Sequence, residues 1–510
     1  MRCRQADAPA LGEPGIPHNG SGELTAGQLL GYPEEARFLF LPPGPVNARV
    51  ALDLDPRRFM RLLTDTLGTA NCPERRRRPV MRRRTLVMSL CATLLLGGVA
   101  LLGPSQPLPG PSLAQAATEI HYLSVARGEP RRQAILAAIA DFEKANPGAK
   151  VVLSEIPFDQ YFQKVAIALA SGSGVDVFDV DSPLVASYGY QGALLPLDKS
   201  YTKENWEDFT EVERTLATYK GKILSAPMGS TSVGMFVNVD LFKAAGLKVP
   251  GTDPGERLTW DQVVDLAKKV QVDKSGNKLP DVWGLAFSQY DRPYEMLPLI
   301  QSNGAGDLSP DGSTVNGYLN SPAAVEAARW YGDTFNKFKV SPREQIPNLF
   351  YIGKLALYVA PSYEANTLKS QYPNVNWIVA PHPSFKKPVT PTGAWHVGVF
   401  SGSKQPDLAV AMLKAYTDPE PAKRNYKIMN YMPVRLSTFK AFPETFDVNP
   451  NKLFYWEILH TAVVRPRTPA YREYEDLLRQ AFANIRQGGD PAKELNAAVE
   501  KIDAQLRRYK

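Results

Sequence analysis

The residues able to do chemistry are few, and their spacing excludes most enzymes. After residue 116 the histidines are His121, His382, His396 and His460. None forms an H-E-x-x-H pair or i, i+4 ligand spacing, so no zinc hydrolase is expected. The three cysteines, Cys3, Cys72 and Cys91, all precede residue 117. That leaves no thiol nucleophile, disulfide or cysteine metal site in the remainder. No phosphate-binding G-x-x-x-x-G-K-[ST] and no G-x-S-x-G serine elbow occurs. Carboxylates are numerous, but no motif selects a pair for glycoside hydrolysis. Neither a cofactor nor a metal is expected. Noncovalent capture remains, and it needs aromatic faces beside polar side chains. The chain has 22 Tyr, 7 Trp and 21 Phe, so position and not number must choose among them.

Position follows from the elements. From Ile120 the pattern alternates: a strand over 120–125, a helix over 131–146 ending at Pro147-Gly148, a strand over 151–155. A helix over 161–170, stopped by Ser-Gly-Ser-Gly174, and a strand over 175–180 follow. Such alternation predicts a parallel sheet flanked by helices, with ligands beyond the carboxyl ends of the strands. Arg127 and Glu129 follow the first strand and Asp181 and Ser182 the third, so all four are candidate contacts. Local turn or cap bonding is their alternative role.

Farther on, Pro227 precedes an apolar strand over 235–239 that runs into Asn238-Val-Asp240-Leu-Phe-Lys-Ala-Ala-Gly246-Leu. A short helix should close on Gly246 as its C-cap. Thr259-Trp-Asp-Gln then caps a helix whose Val263, Val264, Ala267 and Val270 share one face. This order resembles the extracellular solute-binding proteins of ABC importers, in the family that includes maltose- and other sugar-binding members. Further pieces agree in order: Phe142-Glu-Lys-Ala-Asn-Pro147, Ala170-Ser-Gly172 with Asp176-Val177, Gly192-Ala-Leu-Leu-Pro-Leu-Asp198 and Tyr219-Lys-Gly-Lys222. Gly353-Lys-Leu-Ala-Leu, Gly393-Ala-Trp395, Met432-Pro-Val-Arg435, Arg465-Pro-Arg and the terminal Gly488…Pro491 continue it. Val175 departs from the family's proline.

The resemblance implies an α/β, two-lobed periplasmic-binding-protein fold of type II, each lobe a mainly parallel sheet flanked by helices. Lobe one would hold 117–226 plus 397–432 and lobe two 227–396 plus 433–510, with chain crossings acting as a hinge. It also implies cleft residues. Gly393 and Trp395 stand where relatives write G-G-W, the indole stacking on a sugar ring; Trp395 also suits a core place beside the strand that follows. Tyr363 replaces a stacking Trp, and Glu364 beside it would accept from ligand hydroxyls or serve as a helix-start acid. Tyr294 lies in Arg292-Pro-Tyr, where maltose-type members have E-P-Y. Arg292 reverses that charge, which argues against maltodextrin and fits an acidic ligand or an outward-pointing side chain. Ser230 and Thr231 follow the first crossing, and Arg435 matches a position that reaches the cleft. Pro227, Asn238, Asp240 and Trp260 are assigned to structure, and Trp283, Trp330, Trp377 and Trp456 to the core.

The net charge of +7 misleads until it is located. Residues 1–116 hold fourteen arginines, no lysine and nine acids, a net of +5 that leaves +2 for the rest. Nucleic-acid binding therefore loses its support. Arginines at 82–84, an uncharged apolar run over 86–102 and Ala114-Gln-Ala116 read as a signal peptide cleaved after Ala116. The run also nears the length of a membrane span, but Gly97-Gly98 and the A-x-A favour cleavage. Cys91 lies inside the run and not after a lipobox. Arg83-Arg84 resembles a twin-arginine signal, and general secretion uses similar n-regions, so the route stays open. A signal eighty residues into the chain suggests translation from Met81, with 1–80 a mis-assigned or disordered extension.

The expectation is a periplasmic or extracellular, monomeric, non-enzymatic receptor. It would capture a mono- or oligosaccharide and deliver it to the transmembrane subunits of an ABC permease. A non-sugar solute such as a polyamine or glycerol phosphate is the alternative, and a secreted glycosidase lies further off.

Overall fold

Residues 117–274 and 279–509 are described by the computed structural model. They belong to one compact unit. The expected extension, signal segment and cleavage site therefore lie outside the described residues.

The first half builds as its alternation predicts. Strand β1 (Thr118–Val125), helix α1 (Glu129–Ala145), strand β2 (Ala149–Ile156), helix α2 (Phe158–Ser171) and strand β3 (Val177–Asp181) follow in turn. Helix α2 stops where Gly172 turns left-handed at φ 64°, a conformation glycine takes without a Cβ clash. Strand β3 is buried throughout, as a central strand covered on both faces must be. It pairs in parallel with β1, which pairs in parallel with β2.

Helix α3 (Glu211–Ala217) leads to strand β4 (Ala226–Asn238), far longer than the expected 235–239. Its length is what joins the halves. Helix α4 (Val239–Ala244) follows, capped by the Asn238 side chain accepting from Leu241 N at 3.2 Å. Its C-cap is Ala245, and Gly246 sits one residue later at φ 67°, the usual place for the left-handed glycine. Thr259 and Gln262 form a capping box for helix α5 (Trp260–Val270), whose four named apolar residues are all buried. Strand β5 (Trp283–Phe287), helix α6 (Pro293–Ser302), strand β6 (Leu355–Pro361), helix α7 (Glu364–Gln371) and strand β7 (Trp377–Ala380) complete this region. Strand β8 (Thr390–Val399) then returns to the first half, before helices α8 (Pro406–Thr417) and α9 (Pro419–Met429). Strand β9 (Ala462–Val463) and helices α10 (Tyr471–Arg486) and α11 (Pro491–Leu506) follow.

The sheet runs β2-β1-β3-β8-β4-β6-β5, with β9 on β8 and β7 on β4. It is more mixed than expected, because β8 is antiparallel to β3 and β4 and β4 antiparallel to β6 and β7. Strand β4 pairs with β8 through Ser232 and with β6 from Val233 onward. Pro227 is not in a turn. It lies inside β4 beside a register shift, opposite His396 next to Trp395, where a bulge tolerates a residue without an N–H.

One core packs α1, α8 and the first strands around Tyr122, Phe142 and Tyr416. A second, larger core gathers Phe236, Trp260, Leu357, Phe454 and Phe482. Trp260 is fully buried, its ring 4.9 Å from that of Trp330. Trp283, Trp377 and Trp456 are half-buried.

Candidate functional site

A cavity of about 710 Å³ opens over the middle of the sheet, where β4 and β8 run side by side. Its floor includes residues 228–231 of β4 and 393–395 of β8. The loop after β1 supplies Arg127 and the carboxyl end of β3 supplies Asp181, as the strand-end rule requires. Residues 288–292, after β5, and Ser362 and Tyr363, after β6, line it from the other half.

Eight expected contacts come together here: Arg127, Asp181, Ser230, Thr231, Tyr294, Tyr363, Gly393 and Trp395. A Cβ at Gly393 would lie 3.0 Å from Tyr294 Cε2 and 3.1 Å from Thr231 Oγ1, so a larger residue there would press on both side chains. The Thr231 hydroxyl donates to the Gly393 carbonyl at 3.0 Å and lies 2.9 Å from the Tyr294 hydroxyl. Burial pushes the Tyr294 phenol well above its ordinary pKa, so it stays a neutral donor. Ser230 contributes backbone only: its hydroxyl donates to buried Glu213 at 2.7 Å. Glu213 also faces His396 Nε2 at 3.2 Å, and His396 Nδ1 lies 2.8 Å from Ser225 Oγ. That histidine is a buried strut behind the floor.

Trp395 is both core and cleft. Its indole lies near Phe158, Tyr161 and Phe162, at ring distances of 6.4, 6.1 and 6.4 Å. The Arg127 guanidinium sits 4.6 Å from its centroid. Phe158 and Tyr363 are the open platforms, 41% and 37% exposed.

Four expected contacts lie outside the cavity lining. Glu129 is exposed on the first turn of α1, where its carboxylate accepts from Gln133 at 3.3 Å. Ser182 is buried at the start of a short 3-10 turn. Glu364 begins α7 and accepts from the Tyr351 hydroxyl; burial raises its pKa. Arg435 is wholly buried, its guanidinium bonded to Thr417, Asn205 and Asp208 and 3.8 Å from the Phe209 ring centre. Its donors are spent on the Thr417 and Asn205 carbonyls, Asn205 Oδ1 and Asp208.

Other lining residues escaped the sequence reading. Arg131, one turn into α1, pairs with Asp179 at 2.6 Å. Asp179 also accepts from Tyr122, Ser124 and the Val125 N–H. Arg465 reaches Asp181 at 2.7 Å and Tyr471 at 3.2 Å. Arg292 does not point outward: it lines the cavity and pairs with Glu475 at 2.8 Å. Phe158 follows the second strand directly, so the strand-end rule applied to β2 would have found it. Arg465 stood in the Arg465-Pro-Arg motif without an assigned partner. Among the described residues no group of three or more side chains could hold a metal ion.

Behind the cavity wall, Glu295 accepts from Ser288 and from the Gln289 N–H. Burial moves its pKa from 4.5 to about 8. Between those values the unfolded chain is ionised while the folded chain keeps its proton, so stability falls as pH rises. Glu295→Gln, which mimics the protonated acid, should flatten that decline. Urea unfolding of both forms at about pH 4.5, 6 and 8 checks it; parallel curves would contradict the assignment.

Comparison with known proteins agrees with this architecture. The family model for bacterial extracellular solute-binding proteins matches residues 128–423, more than half of the chain. A putative binding protein of Brucella abortus is 25% identical over 381 residues, 72% of this chain and 88% of its own. The maltodextrin-binding protein of Bacillus subtilis is 23% identical over 335 residues, 63% of this chain and 75% of its own. A Listeria monocytogenes ABC substrate-binding protein in complex with cycloalternan superposes with a TM-score of 0.66. It is 22% identical, with 77% of this chain and 99% of that one covered, which establishes the shared two-lobed fold. The chain belongs to the family of bacterial extracellular solute-binding proteins.

Proposed function

We propose that this chain captures a carbohydrate in the cleft, without altering it, and delivers it to the transmembrane subunits of an ABC permease. The exposed rings of Phe158 and Tyr363, in one cavity that also holds arginines, Asp181 and hydroxyls, carry this reading. Sugars offer apolar C–H faces to such rings and hydroxyls to the surrounding donors and acceptors. The maltodextrin-binding and cycloalternan-bound relatives support it.

Lobe one comprises 117–226 plus 397–432, lobe two 227–396 plus 433–510, and the pivot lies in β4 and β8. The exchange of β4 partners between Ser232 and Val233 supports a crossing within β4. Ligand shifts the open–closed balance only through better contacts in the closed form. The protein works as a monomer outside the cytoplasmic membrane after cleavage following Ala116. It neither catalyses a reaction nor binds nucleic acid. Among the described residues no helix is long and apolar enough to cross a membrane.

Thermal unfolding against mono- and oligosaccharides, sugar phosphates, polyols and polyamines tests the ligand class. A ligand bound only by the folded state raises the midpoint with the logarithm of its concentration. A shift with one saccharide class is expected; a shift with polyamines alone would keep the fold and overturn the ligand.

A further inference from the structure

We propose that the captured saccharide carries an anionic group, a carboxylate or a phosphate, and that Arg127 selects it. This rests on the carbohydrate reading above and narrows it.

The ion pairs around the cavity leave one arginine over. Arg131 is neutralised by Asp179, Arg292 by Glu475 and Arg465 by Asp181. Arg479 has Asp476 at 3.8 Å. Arg127 alone among the lining arginines has no carboxylate within ion-pair distance among the described residues. The nearby Asp181 has already given an oxygen to Arg465 at 2.7 Å. Glu129, two residues on, bonds Gln133 instead.

The guanidinium is held nonetheless. Its carbon lies 4.6 Å from the Trp395 ring centre and 5.3 Å from that of Phe158. Cation–π contacts fix its position without spending any N–H. A planar fork with unspent donors is suited to bidentate recognition of an oxyanion. The crowding of the cavity walls and the neighbouring Arg131 charge both disfavour the Arg127 cation, while the side chain stays exposed to the cleft where an anion can reach it. Besides Asp181, its electrostatic neighbours are the phenols of Tyr431 and Tyr363, which can donate to the same anion or contact the sugar ring. An arriving carboxylate or phosphate would replace water on a charge the protein leaves unmatched. Neutral hydroxyls would not compensate it.

The test is isothermal titration of the full chain with matched pairs. Trigalacturonate is compared with galactotriose, and glucose 6-phosphate and maltose 1-phosphate with glucose and maltose. One acidic member should bind about ten- to a hundredfold tighter than its neutral partner, the size of hydrogen bonds to a charged group. That ratio should shrink as salt is raised. Which pair responds names the anion as carboxylate or phosphate. Arg127→Gln should bring the ratio close to one; Arg127→Lys should keep the salt-dependent part and lose the remainder. Equal or tighter binding of the neutral members, or a ratio that survives Arg127→Gln, would overturn the inference and leave carbohydrate capture standing. Silence from every saccharide would remove the carbohydrate reading and this inference with it.

Discussion

Arg435→Ala is expected to destabilise the folded chain by about 3–5 kcal/mol, the usual result of breaking a buried ion pair from one side. The guanidinium is wholly buried and gives hydrogen bonds of 2.8–3.1 Å to Thr417 O, Asn205 O, Asn205 Oδ1 and Asp208. Asp208 also accepts from the Ser437 N–H and hydroxyl at 2.8 and 2.7 Å. Removing the arginine strands three oxygen acceptors and one carboxylate, and leaves a void over Phe209. Arg435→Lys should recover little, because one ammonium cannot span that fork. Urea unfolding measures the loss, and saccharide affinity of the folded fraction should not change. A destabilisation below about 1 kcal/mol, the scale of an exposed ion pair, together with lost affinity, would return Arg435 to the cleft.

Trp395→Ala is the second large effect, and it falls on binding. Loss of the indole should weaken saccharide affinity by about 1–3 kcal/mol, the size of aromatic contact plus buried area. Two routes add here. The indole lines the cavity directly, and it also positions Arg127 and Phe158. The variant also loses packing against Tyr161 and Phe162, so its unfolding midpoint must be recorded beside its affinity. Unchanged affinity in a folded variant would remove Trp395 from the site.

Much of this was legible in the sequence, for reasons that differ by residue. The opening β-α-β order, the Thr259 cap and the buried face of α5 obey local rules, so they appeared where periodicity placed them. The reach of β4 did not, because Pro227 and Gly229 look like strand breakers. Only the bulge opposite Trp395 and His396 shows why they are accepted. Arg127 and Asp181 followed from strand ends, and Trp395 and Tyr363 from the family resemblance. Arg435 was misplaced because a motif gives proximity to a cleft but not the direction of a side chain. Here Asp208, more than two hundred residues earlier, turns it inward. The Arg465–Asp181 pair was invisible for the same reason: its partners are 284 positions apart.

If the cleft captures its saccharide unaltered, the bound sugar must be recoverable intact. Equilibrium dialysis of the full chain against a saccharide mixture, with mass spectrometry of what is retained, tests it most directly. One saccharide class should be held at one molecule per chain, released with unchanged mass, and retained less by Trp395→Ala. Retention of nothing, or release of a shortened product, would contradict the account.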